Sequence, residues 1–259
     1  MAFDAEILLN DAQSKTARTL MRGLIAAARP AGIRVTVTER YTAAAPWLVL
    51  WGVGRAEFMA ARTKHLAAGG RVIHWDMGYI GRGKVDAHCR MCIDDFHPWR
   101  WFDRTRPDPS RLDQFRLALR EDAAPDGHIV VAGLGRKSIE MLGLGEWEDR
   151  AVKRLRQRYP GVDIVRRAKP TSRHANIVPI EQVLRGARLL ACRHSNCAID
   201  AAIAGVPFEC EDGAAYWLAQ REFTPENRLD FLRRLCWWQW RHDEAPQAWE
   251  FIKEMLLCD

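Results

Sequence analysis

"RLLACRHSNCAIDAAIAGVPFECEDGAA" (188–215) is the stretch whose reading decides the fold. "RLLAC" is a short apolar run, as expected of a strand buried on both faces. A polar turn follows at His194, Ser195 and Asn196. The next segment, "CAIDAAIAG", is a helix of small residues stopped by Gly205. "VPFEC" opens another strand, and Glu211 and Asp212 close it. A strand, a helix and a strand in so short a span belong to a parallel sheet covered by helices. The plain alternative for the same residues is a helix with an ordinary cap and two acids in a turn.

Upstream, the same alternation recurs. "HIVVA" (128–132) is a strand that runs into the glycine loop "GLGRKS". "WEDRAVKRLRQRYPG" is an amphipathic helix with Val152, Leu155 and Tyr159 on one face. "VDIVRRAKP" is a strand ending in a basic loop, and "PIEQVLRGA" a short helix. The first hundred residues carry a second series. "AEILLN" is a strand, and Ser14 caps a helix that Pro30 and Gly32 stop. "IRVTVTERY" and "APWLVLWGVGR" are strands, "AEFMAARTKHLAAGG" is a helix and "RVIHWDMGY" a further strand. From Gly78 to about Pro125 the periodicity is lost in a Gly-, Pro-, Arg- and aromatic-rich stretch. A long irregular segment of that kind is functional or a linker.

The expected architecture is α/β: two Rossmann-like domains facing a cleft. The expected domains are 1–125, with 78–125 as its irregular basic and aromatic segment, 126–222, and 223–259 as C-terminal helices crossing back to the N-terminal domain. The chain has 259 residues, 48% of them hydrophobic, with a formal net charge of +6 and a pI near 9.1. The charge favours a phosphate-bearing partner. No apolar run is long enough to span a bilayer. The N-terminal "MAFDAEILLNDAQ" has acids where a secretion signal is basic, so a cytoplasmic location is expected. Seven cysteines include one CxxC pair, Cys89 and Cys92. A zinc site needs two more ligands, so free thiols are expected and no metal.

Ligands in parallel α/β sheets bind at the carboxyl ends of strands. In the second half that rule selects Gly133, Gly135, Arg136, Lys137, Lys169, His194, Ser195, Asn196, Glu211 and Asp212. Glycines let backbone N–H groups approach an anion, and the cations neutralise it. Ser195 or Asn196 caps the small-residue helix, whose free N–H groups favour a diphosphate. Glu211 or Asp212 accepts from ribose hydroxyls.

"GLGRKS", "RAKP" and "HSNCAIDAAIAGVPFECED" together resemble the donor-binding domain of GT-B-fold glycosyltransferases, over about residues 128–218. The resemblance implies a nucleotide-sugar co-substrate, first of all a UDP-sugar, and no required cofactor. It also implies a general base across the cleft in the first half. The candidates are Asp76 and Asp11 at strand ends, then Asp95 and His97 in "IDDFHPW". Acceptor contacts are expected from Gly54, Arg55, Tyr79, Arg82, Lys84, Arg100 and Trp101.

Arginines interleaved with tryptophans supply what a nucleic-acid track needs: phosphate neutralisation and base stacking. On this ground the chain looks like phage glycosyltransferases that modify hydroxymethylated DNA bases, acting in the host cytoplasm if phage-encoded. DNA is thus the expected acceptor and partner, with no membrane. The competing arrangement packs the tryptophans into the core with arginines on their edges. Other acceptors, a surface polysaccharide or a small molecule, fit the donor motifs equally. So does a sugar-nucleotide 2-epimerase. A non-catalytic nucleic-acid-binding protein would not need the donor loops.

Overall fold

The computed structural model describes residues 3–52, 55–81, 88–169 and 178–257; the side chains of Lys137, Met141 and Leu142 lie outside the described residues. The chain opens with β1 (Phe3–Leu8), α1 (Lys15–Ala28), β2 (Ile33–Thr38), β3 (Trp47–Trp51), α2 (Ala56–Ala67), β4 (Arg71–Met77) and β5 (Cys89–Ile93). A 3-10 helix, Pro98–Arg104, leads to α3 (Pro109–Gln114), β6 (His128–Ala132), α4 (Arg136–Leu142), α5 (Trp147–Arg158) and β7 (Ile164–Arg167). Next come α6 (Ile180–Leu184), β8 (Ala187–Cys192), α7 (Cys197–Ala204), β9 (Phe208–Cys210) and α8 (Tyr216–Ala219). The chain closes with α9 (Pro225–Cys236), β10 (Gln239–Trp240), a 3-10 turn at His242–Glu244 and α10 (Ala245–Leu257). By contact the chain divides into two units: Met1–Arg106 with Arg234–Asp259, and Pro107–Arg233.

The first unit is built on a six-stranded sheet of order β10-β5-β4-β3-β1-β2. Strands β2, β1, β3 and β4 are parallel, as the apolar runs lead one to expect, while β5 and β10 are antiparallel additions. The segment expected to be irregular therefore contains a strand. One face of the sheet packs Leu8, Leu48, Leu50 and Val72 against Phe58 and Ala61 of α2. Ser14 starts α1 by accepting the N–H of Ala17 at 3.2 Å. In the same unit, Trp249 of α10 donates its indole N–H to Leu24 O of α1 at 2.9 Å. Lys253 donates to Ala31 O at 2.9 Å.

Buried in β1 is one carboxylate, Glu6, with no solvent exposure. It accepts from Thr38 Oγ1 (2.8 Å), Thr42 N (2.7 Å), Thr42 Oγ1 (3.0 Å) and Ala44 N (2.9 Å). These donors hold the connection into β3, where Ala43 has a φ of +59°. Burial pushes the carboxyl pKa up, but the N–H groups of Ala44 and Thr42 and the two hydroxyls outweigh it, leaving it below the ordinary value. The stability this carboxylate provides is present above the unfolded-state pKa. It is lost as pH falls through the lower folded-state pKa. Glu6→Gln turns one acceptor into a donor facing donors, at a cost of about 1–3 kcal/mol. Urea melts at neutral pH are expected to show that difference, and it should shrink as the pH is lowered through the titration of Glu6.

The second unit has a four-stranded, all-parallel sheet of order β7-β6-β8-β9. Its core on one face joins Ile129, Val131, Leu189 and Ala191 to Trp147, Ala151, Val152 and Leu155 of α5. Residues 120–124 group with this unit because their backbone is bonded into it. Arg120 N and Asp122 N donate to Ile203 O and Ala204 O (both 2.8 Å), and Gly186 N donates to Asp122 O (2.9 Å). The contact boundary thus falls at Arg106/Pro107, not at the "APDG" turn.

One arginine locks the end of α7. Arg228 is 1% exposed. It donates to Ala202 O (2.8 Å) and Arg120 O (2.7 Å) and pairs with Glu121. Gly205, at φ +75°, ends the helix. A Cβ there would come within 2.3 Å of Arg120 O, so only glycine fits.

Candidate functional site

In the second unit the chain leaves β6, returns as β7 on one side, and then as β8 on the other. The carboxyl ends of β6 and β8 therefore flank a topological switch point, where open parallel sheets bind ligands. Two loops meet there: Gly133–Gly135 running into α4, and Arg193–Asn196 running into α7. They are joined by His194 Nε2 and Ser138 Oγ, 3.0 Å apart.

Glycines bring the surrounding strand ends in. A Cβ on Gly135 would lie 2.9 Å from Lys169 Cδ and 3.3 Å from its Nζ, so the missing side chain leaves room for the ammonium after β7. A Cβ on Gly133 would meet Glu148 Oε2 at 2.8 Å and Arg167 O at 3.2 Å. A Cβ on Gly213, at φ +92°, would lie 3.1 Å from His194 Cα, which sets the loop after β9 beside the His194 backbone. Gly133, Gly135, Lys169, His194 and Ser195 are thus gathered at one end of the sheet, with Ser138 added.

The helix start differs from expectation. Ser195 Oγ accepts from Cys197 N at 3.1 Å. Ala198 N and Ile199 N donate to Ser195 O and Asn196 O at 3.1 and 3.0 Å. Asn196 makes no side-chain cap. The first amides of α7 are consumed by this tight turn instead of pointing outward, so an anion here must rely on side chains and the helix dipole.

The acids also sort differently. Glu211 is held by the Trp147 indole N–H (2.9 Å) and by Arg193 (3.0 Å). It ties α5 to the strand ends and is committed to structure. Asp212 Oδ1 receives the N–H of Gly213 at 2.6 Å. Arg136 is 88% exposed beside Glu140 (3.6 Å). The Lys137 side chain lies outside the described residues. Arg166, read as part of a basic strand end, pairs with Asp149 at 2.7 Å.

The first unit carries a second polar cluster at the carboxyl end of β4. Asp76 sits directly opposite Arg90 in the β4–β5 ladder. The Asp76 carboxylate accepts from Arg90 Nη2 (3.1 Å) and Met77 N (2.7 Å). Arg90 Nη1 reaches His97 Nδ1 at 3.3 Å, and the Tyr79 hydroxyl lies 3.2 Å from the same nitrogen. A guanidinium only donates, so His97 Nδ1 is the accepting nitrogen and the ring proton is assigned to Nε2. Two residues before Asp76, His74 is fully enclosed. Burial drives its pKa down to about 4 against the opposing pull of Asp76. Burial likewise raises the Tyr79 hydroxyl.

Asp76, Tyr79 and His97 are therefore brought together, through an arginine that the sequence reading had assigned to a basic track. Other candidates are not. Asp11 is exposed, and its backbone carbonyl accepts from Arg18 (2.6 Å). Asp95 Oδ1 accepts from Phe96 N at 2.7 Å. Arg55 donates to Ala12 O and pairs with Glu57. Arg100 is exposed over the Trp99 ring. Gly54, Arg82 and Lys84 lie outside the described residues.

Of the tryptophans expected to stack on bases, three are core residues, while Trp99 and Trp237 are half-buried. Trp101, Trp238 and Trp240 are 9%, 0% and 1% exposed. Trp101 donates to Ile93 O at 3.1 Å and Trp238 to Thr105 Oγ1 at 2.9 Å. Arg71 and Arg104 lie over Trp101 at 5.7 and 5.5 Å. Tyr79 is 1% exposed. The aromatic track is packing with cations on its rings, and neither Trp101 nor Tyr79 is presented to a ligand. The CxxC pair lies on β5 as buried thiols outside any disulfide, with Cys89 pushed by burial up to about 12. Among the described residues no group of three or more His, Cys, Asp or Glu is placed to hold a metal ion. Among them, too, no helix is long and apolar enough to cross a membrane.

The chain is similar to the beta Kdo 2,4 transferase KpsC of Thermosulfurimonas dismutans, with a TM-score of 0.51, 12% identity and 89% of each chain covered. The likeness is one of fold. The beta Kdo 2,7 transferase KpsC of the same organism matches with a TM-score of 0.47 and 14% identity, over 97% of this chain and 99% of that one. No protein-family model and no curated protein matches the chain. Nothing in these likenesses supports a DNA base as acceptor.

Proposed function

We propose that the protein is a GT-B-type glycosyltransferase that moves a sugar from a nucleotide-sugar donor to a hydroxyl acceptor. The observation that carries this reading is the meeting of the β6 and β8 ends, with His194 on Ser138 and Lys169 against Gly135. It lies in a chain that shares a transferase fold. Loss of a nucleoside diphosphate is the demanding step, and fixed donors and cations aimed at the leaving phosphate lower its barrier. Lys169, His194 and Ser138 take that role, and Asp212 the ribose. Asp76 is assigned as the base for the acceptor hydroxyl, positioned by Arg90. The one accepting nitrogen of His97 is taken by Arg90, whereas the two oxygens of Asp76 keep lone pairs beside Arg90 and Met77 N, which favours the carboxylate over the imidazole for that task.

A panel of nucleoside diphosphates, read by thermal shift, tests the donor side, because a ligand of the native state raises its stability by mass action. One member of the panel should stabilise the chain. His194→Ala should weaken that ligand about tenfold, the worth of a charge-assisted hydrogen bond. A panel without any stabilising nucleotide would remove the reading.

A further inference from the structure

The first unit holds a cavity of about 570 Å³ that none of the groups above uses. It opens at the carboxyl ends of β1 and β2 and is bounded by α2. Its floor is apolar: Leu8, Phe58 and Ala61, all at most 5% exposed. Tyr41 stands in its wall, fixed by its hydroxyl against His65 Nδ1 at 3.1 Å. Asn10 also lines it, and Asn10 Oδ1 is buried with no hydrogen-bond partner among the described residues. Four charges complete the lining: Glu39 and Glu57 with Arg40 and Lys64.

We infer that this cavity is a saccharide-binding site, and, resting on the transferase reading above, that it receives the acceptor. The size lies in the range of small-molecule sites. The four lining charges are mixed, two of each sign, with Glu57 also paired to Arg55 at 3.3 Å, so the cavity presents no run of cations of the kind on which nucleic-acid binding depends. Carboxylates only accept hydrogen bonds, and lysine and arginine only donate them. A ligand that matches both must be rich in groups that do either, which is the property of hydroxyls. A pyranose ring adds an apolar C–H face for the Leu8–Phe58–Ala61 floor and for an aromatic wall.

The test uses the full chain, with lactose, a uronic-acid disaccharide and a single-stranded DNA hexamer as probes, followed by saturation-transfer NMR and calorimetry. Ala60→Trp fills the cavity from an exposed position on α2 that also lines it, so the helix is expected to form normally. The double variant Glu39→Gln, Glu57→Gln removes both negative charges and replaces one accepting oxygen on each side chain by a donor, without bulk. At least one disaccharide should bind, with its Kd raised at least tenfold by Ala60→Trp and several-fold by the double variant. Absence of disaccharide binding, binding unchanged in Ala60→Trp, or DNA binding that Ala60→Trp abolishes would each overturn the inference. Nucleotide binding, read on the same samples, separates the two ideas. A nucleotide that binds beside a silent cavity leaves the transferase reading standing alone. A disaccharide that binds without any nucleotide leaves the site standing and removes its role as acceptor.

Discussion

Asp76→Asn is expected to lower the rate of sugar transfer by about 10²- to 10⁴-fold, the usual worth of a positioned general base. The substitution keeps the shape, but Asp76 takes Met77 N on Oδ1 (2.7 Å) and Arg90 Nη2 on Oδ2 (3.1 Å), and Asn, with a single accepting oxygen, keeps only one of those bonds. It removes the capacity to take a proton. Nucleotide affinity, assigned to groups of the second unit, should stay within about twofold of the parent, because a general base acts on the acceptor hydroxyl and not on the bound nucleotide. A variant with normal transfer would strip Asp76 of its role. Loss of folding would show instead that the Asp76–Arg90 pair is structural, and Arg90→Lys then discriminates. Lysine keeps a charge opposite Asp76 but lacks the fork that reaches Asp76 and His97 together. It should lower turnover with little change in acceptor KM if Arg90 positions a reacting carboxylate.

Arg228→Ala is expected to destabilise the second unit by about 3 kcal/mol, because hydrogen bonds to a charged donor are each worth about 1.5–3 kcal/mol. The side chain is 1% exposed and its bonds go mostly to backbone carbonyls, Ala202 O and Arg120 O. Those carbonyls have no access to a replacement once the guanidinium is gone, and the last turn of α7 loses the cation that faces its negative end. Glu121, 69% exposed, contributes little beside them. Arg228→Lys should recover only part of the loss, since one ammonium cannot span both carbonyls. The check is the unfolding midpoint of the full chain, resolved by limited proteolysis of residues 107–233. A change within 0.5 kcal/mol would mean that the carbonyls find water.

Much of the two sheets was legible in the sequence, for a definite reason. A strand buried on both faces writes itself as a continuous apolar run, and "WLVLW" and "RLLAC" both do so. The strands that escaped are β5 and β10. "CRMCI" alternates weakly and sits among glycines and arginines. "QW" is two residues whose partner, Arg90 with Cys89, lies some 150 residues earlier. Missing β5 had a chemical cost, because only its pairing places Arg90 opposite Asp76. The loops after β6 and β8 were legible through the strand-end rule, which needs no tertiary knowledge. The fate of Glu211 was not, since Trp147 and Arg193 reach it through packing of α5 that no local pattern reveals. The basic and aromatic segment misled for a related reason. Composition gives the residue types, but only burial distinguishes a stacking platform from a core tryptophan.

The first unit is assembled from both ends of the polypeptide, with β10 closing its sheet beside β5 and α10 lying on α1. This has a consequence during synthesis. The ribosome makes β5 early, but its outer neighbour emerges only after the whole second unit has been translated. At about 5–20 residues per second the edge of β5 waits on the order of ten seconds for its partner. The second unit, contiguous in the chain, has no such delay. The half begun first is the half finished last, and its open strand edge is the point in the nascent chain most in need of a chaperone.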